Sequence, residues 1–112
     1  MSKITTHILD ISSGRPASGV AVTLESEFGD GWQLTGEGRT DADGRLTDLM
    51  SADAPLGIGT YRLIFDTGSY FASQSVETFY PQVVVVFRVR GEEHYHVPLL
   101  LSPFGYSTYR GS

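Results

Sequence analysis

The chain has no cysteine, only two methionines and a single tryptophan among its 112 residues. Without cysteine there is no disulfide to staple the fold, no thiolate metal ligand and no cysteine nucleophile. Basic residues are also scarce: 8 Lys and Arg stand against 13 Asp and Glu, a formal net charge of -5. An acidic chain with no Lys/Arg cluster is a poor partner for nucleic acid or an anionic membrane. No apolar stretch approaches the roughly 20 residues of a membrane span, and "MSKITTHILD" at the start lacks the apolar core of a secretion signal. The expectation is a cytoplasmic protein. Motifs are missing too: there is no GxSxG, no P-loop and no Rossmann glycine pattern. "GRTDADGR" contains Asp41 and Asp43 but not the ligand run of a calcium loop.

What is present is a globular composition, 40% hydrophobic and 12% aromatic with 13 glycines. The length predicts one domain, residues 1–112. Short β-prone runs alternate with Gly, Pro and Asp turns. "ITTHILDI" is the first strand and "SSGRPASG" a turn. "VAVTLESEF" places Val20, Val22 and Leu24 on one face, with Thr23 and Glu25 on the other. "GDG" turns into "WQLTGEGRT", and "DADGR" reads as a tight turn with Gly44 at positive φ. "TYRLIF", "QVVVVFRVR", "HYHVPLLLS" and "GYSTYR" are further strands, with "RGEE" as a hairpin loop. "DTGSYFASQS" is the one helix candidate, capped by Asp66 or Thr67. Together these predict an all-β, antiparallel β-sandwich of two sheets with one short helix. Pro98 interrupts a strand that also carries "LLL". A proline without an N–H suits an edge strand or a place where the N–H would face away, and an apolar edge needs cover. Self-assembly is the simplest cover.

Candidate chemistry centres on three histidines, His7, His94 and His96. His7 shares a strand face with Leu9; His94, His96, Pro98 and Leu100 share another. His94, beside "GEE", reads as a solvated and inert residue at a hairpin mouth, whereas His96 is flanked by apolar residues. As an i, i+2 pair the two could chelate a metal, but without a third ligand on that face the signal is weak. Arg45 follows the "DADG" turn and would ordinarily be a surface charge.

"HILDISSGRPASGVAV", the "DGR" turn and "HYHVPLLLSPFGYSTYRGS" resemble the 5-hydroxyisourate hydrolases, the enzyme branch of the transthyretin family. The resemblance runs from about Ile4 to Ser112, and its most specific part is the final "YRGS". Hormone-carrying transthyretins share "LLSP" and "YST" without that ending. The resemblance implies a transthyretin-like sandwich of about eight strands and a homotetramer with its sites in a channel between dimers. It implies 5-hydroxyisourate as substrate, no cofactor and no metal. The family's catalytic positions match His7, Arg45 and His96, and its terminal tetrapeptide matches Tyr109, Arg110, Gly111 and Ser112. The competing expectation is a transthyretin-like carrier without catalysis, its channel lined by Leu9, Pro98 and Leu100. A structural β-sandwich module of a larger surface protein is a third reading.

Overall fold

Alternation of apolar and polar residues organises the chain in the computed structural model, which describes residues 2–112. Among the described residues there are nine strands and one helix, two of the strands being only two residues long. They form a two-sheet sandwich with one short helix, as expected. The first sheet joins β1 (Ile4–Asp10), β2 (Arg15–Pro16), β5 (Arg45–Leu46), β8 (Tyr95–Ser102) and β9 (Gly105–Thr108). Its order is β2-β1-β8-β9, with β5 beside β2 on the free edge of β1. The second sheet, in the order β4-β3-β6-β7, holds β3 (Ala21–Phe28), β4 (Gly31–Arg39), β6 (Gly59–Phe65) and β7 (Val83–Val89).

The inward face of each strand builds one core. Ile4 and Ile8 of β1, Tyr95, Val97, Leu99 and Leu101 of β8 meet Val22, Leu24, Leu63, Phe65, Val83 and Val85 from the other sheet. Each fully buried aliphatic or Phe side chain contributes about 1.5–3 kcal/mol of transfer free energy. Helix α1 (Thr67–Ala72) is capped by Asp66, whose carboxylate accepts from the Ser69 N–H, and it buries Phe71. At six residues it persists through that packing.

Three expectations change. The first sheet is mixed, because β1 pairs with β8 in parallel, from Ile4 opposite Tyr95 to Asp10 opposite Leu101. A parallel pair needs a long crossover, and here the whole second sheet intervenes. Residues 90–94 do not close a hairpin. They carry the chain from β7 in one sheet to β8 in the other, anchored where the Arg90 and Gly91 N–H groups donate to the Tyr95 hydroxyl. Pro98 lies on an interior strand, not an edge. Tyr95 donates to Lys3 and Leu101 accepts from Ile11, so the odd residues of β8 bond β1 and the even ones face β9. The register that pairs Leu99 with Thr108 sets Pro98 against Tyr109, and there the β8–β9 ladder stops. It resumes as a lone bridge between His96 and Gly111. An interior strand tolerates the proline because the missing N–H falls where the ladder is interrupted.

Candidate active site

The outer face of the first sheet carries Thr5, His7, Arg45 and His96, while Ile4, Ile8, Val97, Leu99 and Leu101 face the core. Register alone does most of this. His7 lies opposite Arg45 on β5 and opposite Pro98 on β8. Thr5 lies opposite His96, and His96 opposite Gly111. Partners across a ladder point to the same face, so the two histidines and Arg45 converge although they are far apart in the chain.

The "DADG" turn aims Arg45. The Asp41 carboxylate accepts from the N–H groups of Asp43 and Arg45 at 2.9 and 3.0 Å. Gly44 has φ of 75°, and a Cβ there would sit 2.6 Å from the Ile8 carbonyl oxygen. Only glycine gives that turn its left-handed conformation at such close approach to β1. The same turn orients His7, whose Nε2 is 3.1 Å from the Asp43 carbonyl oxygen. A carbonyl only accepts, so Nε2 carries the hydrogen and Nδ1 is left for other work.

His96 is held from its other nitrogen. Its Nδ1 is 2.8 Å from the Thr5 hydroxyl, which leaves Nε2 for the cavity. Burial lowers the His96 pKa below the ordinary histidine value, and the positive charge of His94, His7 and Arg45 lowers it further. The ring is therefore biased to the neutral form, the form that can take a proton.

His94 is exposed, as expected, but it does not sit at a hairpin mouth and it is not without partners: its Nε2 is 3.0 Å from the same Thr5 hydroxyl, and its ring stacks on His96 with centroids 6.3 Å apart. Because residues 90–94 cross between sheets, His94 arrives directly above the start of β1. Both rings turn a nitrogen to a hydroxyl, and among the described residues no group of three or more His, Asp or Glu is placed to hold a metal ion. Thr5 was missed outright. Its signal was its place two residues before His7 on the same strand face, and the partner that gives this meaning lies 91 residues away.

A cavity of about 200 Å³ opens here, bounded by Thr5, Arg45, His94, His96 and Ser112. His7 stands beside it, next to Arg45. The last four residues divide. Gly111 lies against the His96 ring and Ser112 lines the cavity. Arg110 turns away to bond Glu93 at 2.6 Å, its guanidinium 4.7 Å above the Tyr95 ring. Tyr109 borders a larger, mainly apolar cavity of about 310 Å³ between the β7 and β9 edges, with Val85, Phe87 and Tyr95.

A two-sheet sandwich with two histidines and an arginine on the outer face of one sheet is a transthyretin-like fold equipped for acid–base chemistry. The chain belongs to the HIUase/transthyretin family, whose model matches residues 4–111. It is 51% identical over 112 residues to a 5-hydroxyisourate hydrolase of Salmonella dublin, covering 97% of this chain and 80% of that protein. The solved 5-hydroxyisourate hydrolase of Klebsiella pneumoniae superposes with a TM-score of 0.86 at 39% identity, covering 97% of this chain and 98% of that one. Sea bream transthyretin, solved with thyroxine, superposes with a TM-score of 0.90 at 36% identity over 97% of this chain and 94% of that one.

Proposed function

We propose that the chain, acting as a single domain over residues 1–112, hydrolyses 5-hydroxyisourate to 2-oxo-4-hydroxy-4-carboxy-5-ureidoimidazoline in urate degradation. The convergence of His7, Arg45 and His96 on one sheet face carries the reading, and relatives named for this activity support it. A carrier of an apolar ligand would have no use for three such groups. Left idle and away from water, they are costly to bury.

Ring opening needs a deprotonated water, a stabilised oxyanion and a proton for the departing nitrogen. His96, biased to the neutral form, takes the proton of the attacking water at Nε2. Arg45, charged at every working pH, presents its planar fork to the carbonyl oxygen as negative charge grows there. The carbon–nitrogen bond then breaks and the nitrogen is protonated from His7 Nδ1, which takes its proton back from the new carboxylic acid, while the Nε2–H bond to Asp43 holds the ring in place. Gly111 and Ser112 shape the substrate's position. Arg110, tied to Glu93, and Tyr109 on the adjoining edge hold that segment and complete the binding surface.

The proposed assembly is a homotetramer with sites shared along a channel. An open cavity of about 200 Å³ is small for a ligand site, typically ≈ 300–1,000 Å³. A second copy facing this sheet would enclose it. The sheets end in β7 and β9, where Val86 and Tyr106 stand exposed on unpaired edges, a natural place for strand-to-strand pairing. No helix among the described residues is long and apolar enough to cross a membrane. The proposed compartment is the cytoplasm, which the lack of cysteine supports. Loss of the ultraviolet absorbance of fresh 5-hydroxyisourate on adding nanomolar protein tests the activity. An unchanged decay together with saturable binding of an apolar aromatic would favour the carrier.

A further inference from the structure

We propose that Thr5 and His94 form a proton exit from the active site, carrying to solvent the proton that each turnover leaves behind on His96. The inference rests on the hydrolase reading and extends it to two residues outside the catalytic set.

The reaction's proton balance raises the need. Water supplies two hydrogens. One ends on the departing nitrogen, which is urea-like and not basic enough to hold a second. The product is a carboxylic acid, ionised at neutral pH, so one proton per turnover must leave the site. His96 is a poor place to store it. The ring is half-buried, and the charged or titratable groups facing it are His94 from the run entering β8, His7 on β1 and Arg45 on β5, all cationic or able to become so. Glu93 lies nearby but is paired with Arg110.

The geometry supplies a path. The Thr5 hydroxyl is bridged between His96 Nδ1 at 2.8 Å and His94 Nε2 at 3.0 Å. Thr5 is 2% exposed, so the bridge is shielded from bulk water. A hydroxyl has one hydrogen to give and lone pairs to receive. Among the described residues the two rings are its only hydrogen-bond partners, so it donates to one and accepts from the other. When His96 takes a proton at Nε2, its Nδ1 hydrogen passes to Thr5 and the Thr5 hydrogen passes to His94 Nε2. His94 is exposed and releases its Nδ1 hydrogen to solvent. His96 ends neutral with its hydrogen on Nε2; once product has left, water in the open cavity takes that hydrogen while the path returns one from solvent to Nδ1, so both rings are reset and one proton has left per turnover. No bond other than these N–H and O–H bonds is made or broken.

The test compares Thr5→Val, which keeps the shape and removes the hydroxyl, with Thr5→Ser, which keeps the hydroxyl. Thr5→Val is expected to lose at least about tenfold in kcat with little change in KM, and Thr5→Ser to recover most of it. His94→Ala is expected to lose kcat and regain it, in a saturable way, with added imidazole. Ring 15N spectra of the three histidines give a readout free of substrate: His96 Nδ1 and His94 Nε2 should show coupling through the Thr5 hydroxyl in the wild type and lose that hydrogen-bonded signature in Thr5→Val. Wild-type kcat in Thr5→Val, equal damage in Thr5→Ser, or a His94→Ala defect indifferent to imidazole would each overturn the relay. A wild-type protein that leaves 5-hydroxyisourate untouched while the spectra show coupling would instead sink the hydrolase reading and leave the bridge standing.

Discussion

Gly111 lies directly against His96: its N–H donates to the His96 carbonyl at 2.8 Å, and a Cβ on it would fall 2.6 Å from His96 Cδ2. The third residue of the terminal tetrapeptide is thus glycine for reasons of space. Gly111→Ala must push the ring or lift the segment, and a misplacement of about 1 Å at a reacting group costs on the order of 100-fold in rate. We expect kcat to fall by that order with thermal stability nearly unchanged. Activity assays beside circular dichroism check this, and wild-type turnover would show that the ring has room.

His7→Ala and His96→Ala should each lower kcat at least about 100-fold, the ordinary worth of acid–base catalysis. Arg45→Lys keeps the charge and loses the fork, so it should fold normally and lose most activity. Steady-state kinetics on folded variants decide the matter. Full turnover in Arg45→Lys would reduce the arginine to a surface charge.

The lowered His96 pKa has two consequences. The unfolded chain binds the proton at a higher pH than the folded protein does. Stability is therefore full above the ordinary histidine value of 6.5 and is lost as pH falls through that value toward the folded one. The acid limb of kcat/KM should likewise lie below 6.5. Denaturant titrations across this range should show a decline that His96→Gln reduces. A His96 ring titrating above 6.5 by NMR would contradict both.

Asp10 anchors the end of β1 away from the site. It is 1% exposed, and its carboxylate accepts from the Tyr70 hydroxyl at 2.8 Å. Burial alone would raise its pKa, but donors from Ser12, Tyr70 and the Ser12 and Ser13 backbone outweigh burial and lower it. Tyr70→Phe removes one charged hydrogen bond and should cost about 1.5–3 kcal/mol of stability. Specific activity of the folded fraction should be unchanged. Below the ordinary aspartate value of 3.8 the wild type loses the same contribution, so the two proteins should converge there.

Dilution tests the shared channel. Sedimentation run in parallel with activity should show both falling together as the assembly separates. Full activity in a monomer or dimer would sink the shared-channel model.

The sequence by itself determined the local half of this protein. Period-two alternation assigned Val20, Val22 and Leu24 to the core, the pair Asp66 and Thr67 announced a helix cap that Asp66 supplies, and "DADGR" announced a turn that needs Gly44. The matching motifs already singled out His7, Arg45 and His96. The alternation, the cap and the turn follow from steric and burial preferences within a few residues, which a linear pattern records directly; the site residues came from resemblance to the family's motifs. Tertiary structure alone decided the parallel pairing of β1 with β8, the interior place of Pro98 and the crossing at residues 90–94. Those in turn brought Thr5, His94 and His96 to one hydroxyl. Alternation tells which face of a strand is buried, not which strand lies beside it. That choice is made by contacts between residues some ninety positions apart, and the role of Thr5 exists only once the choice is made.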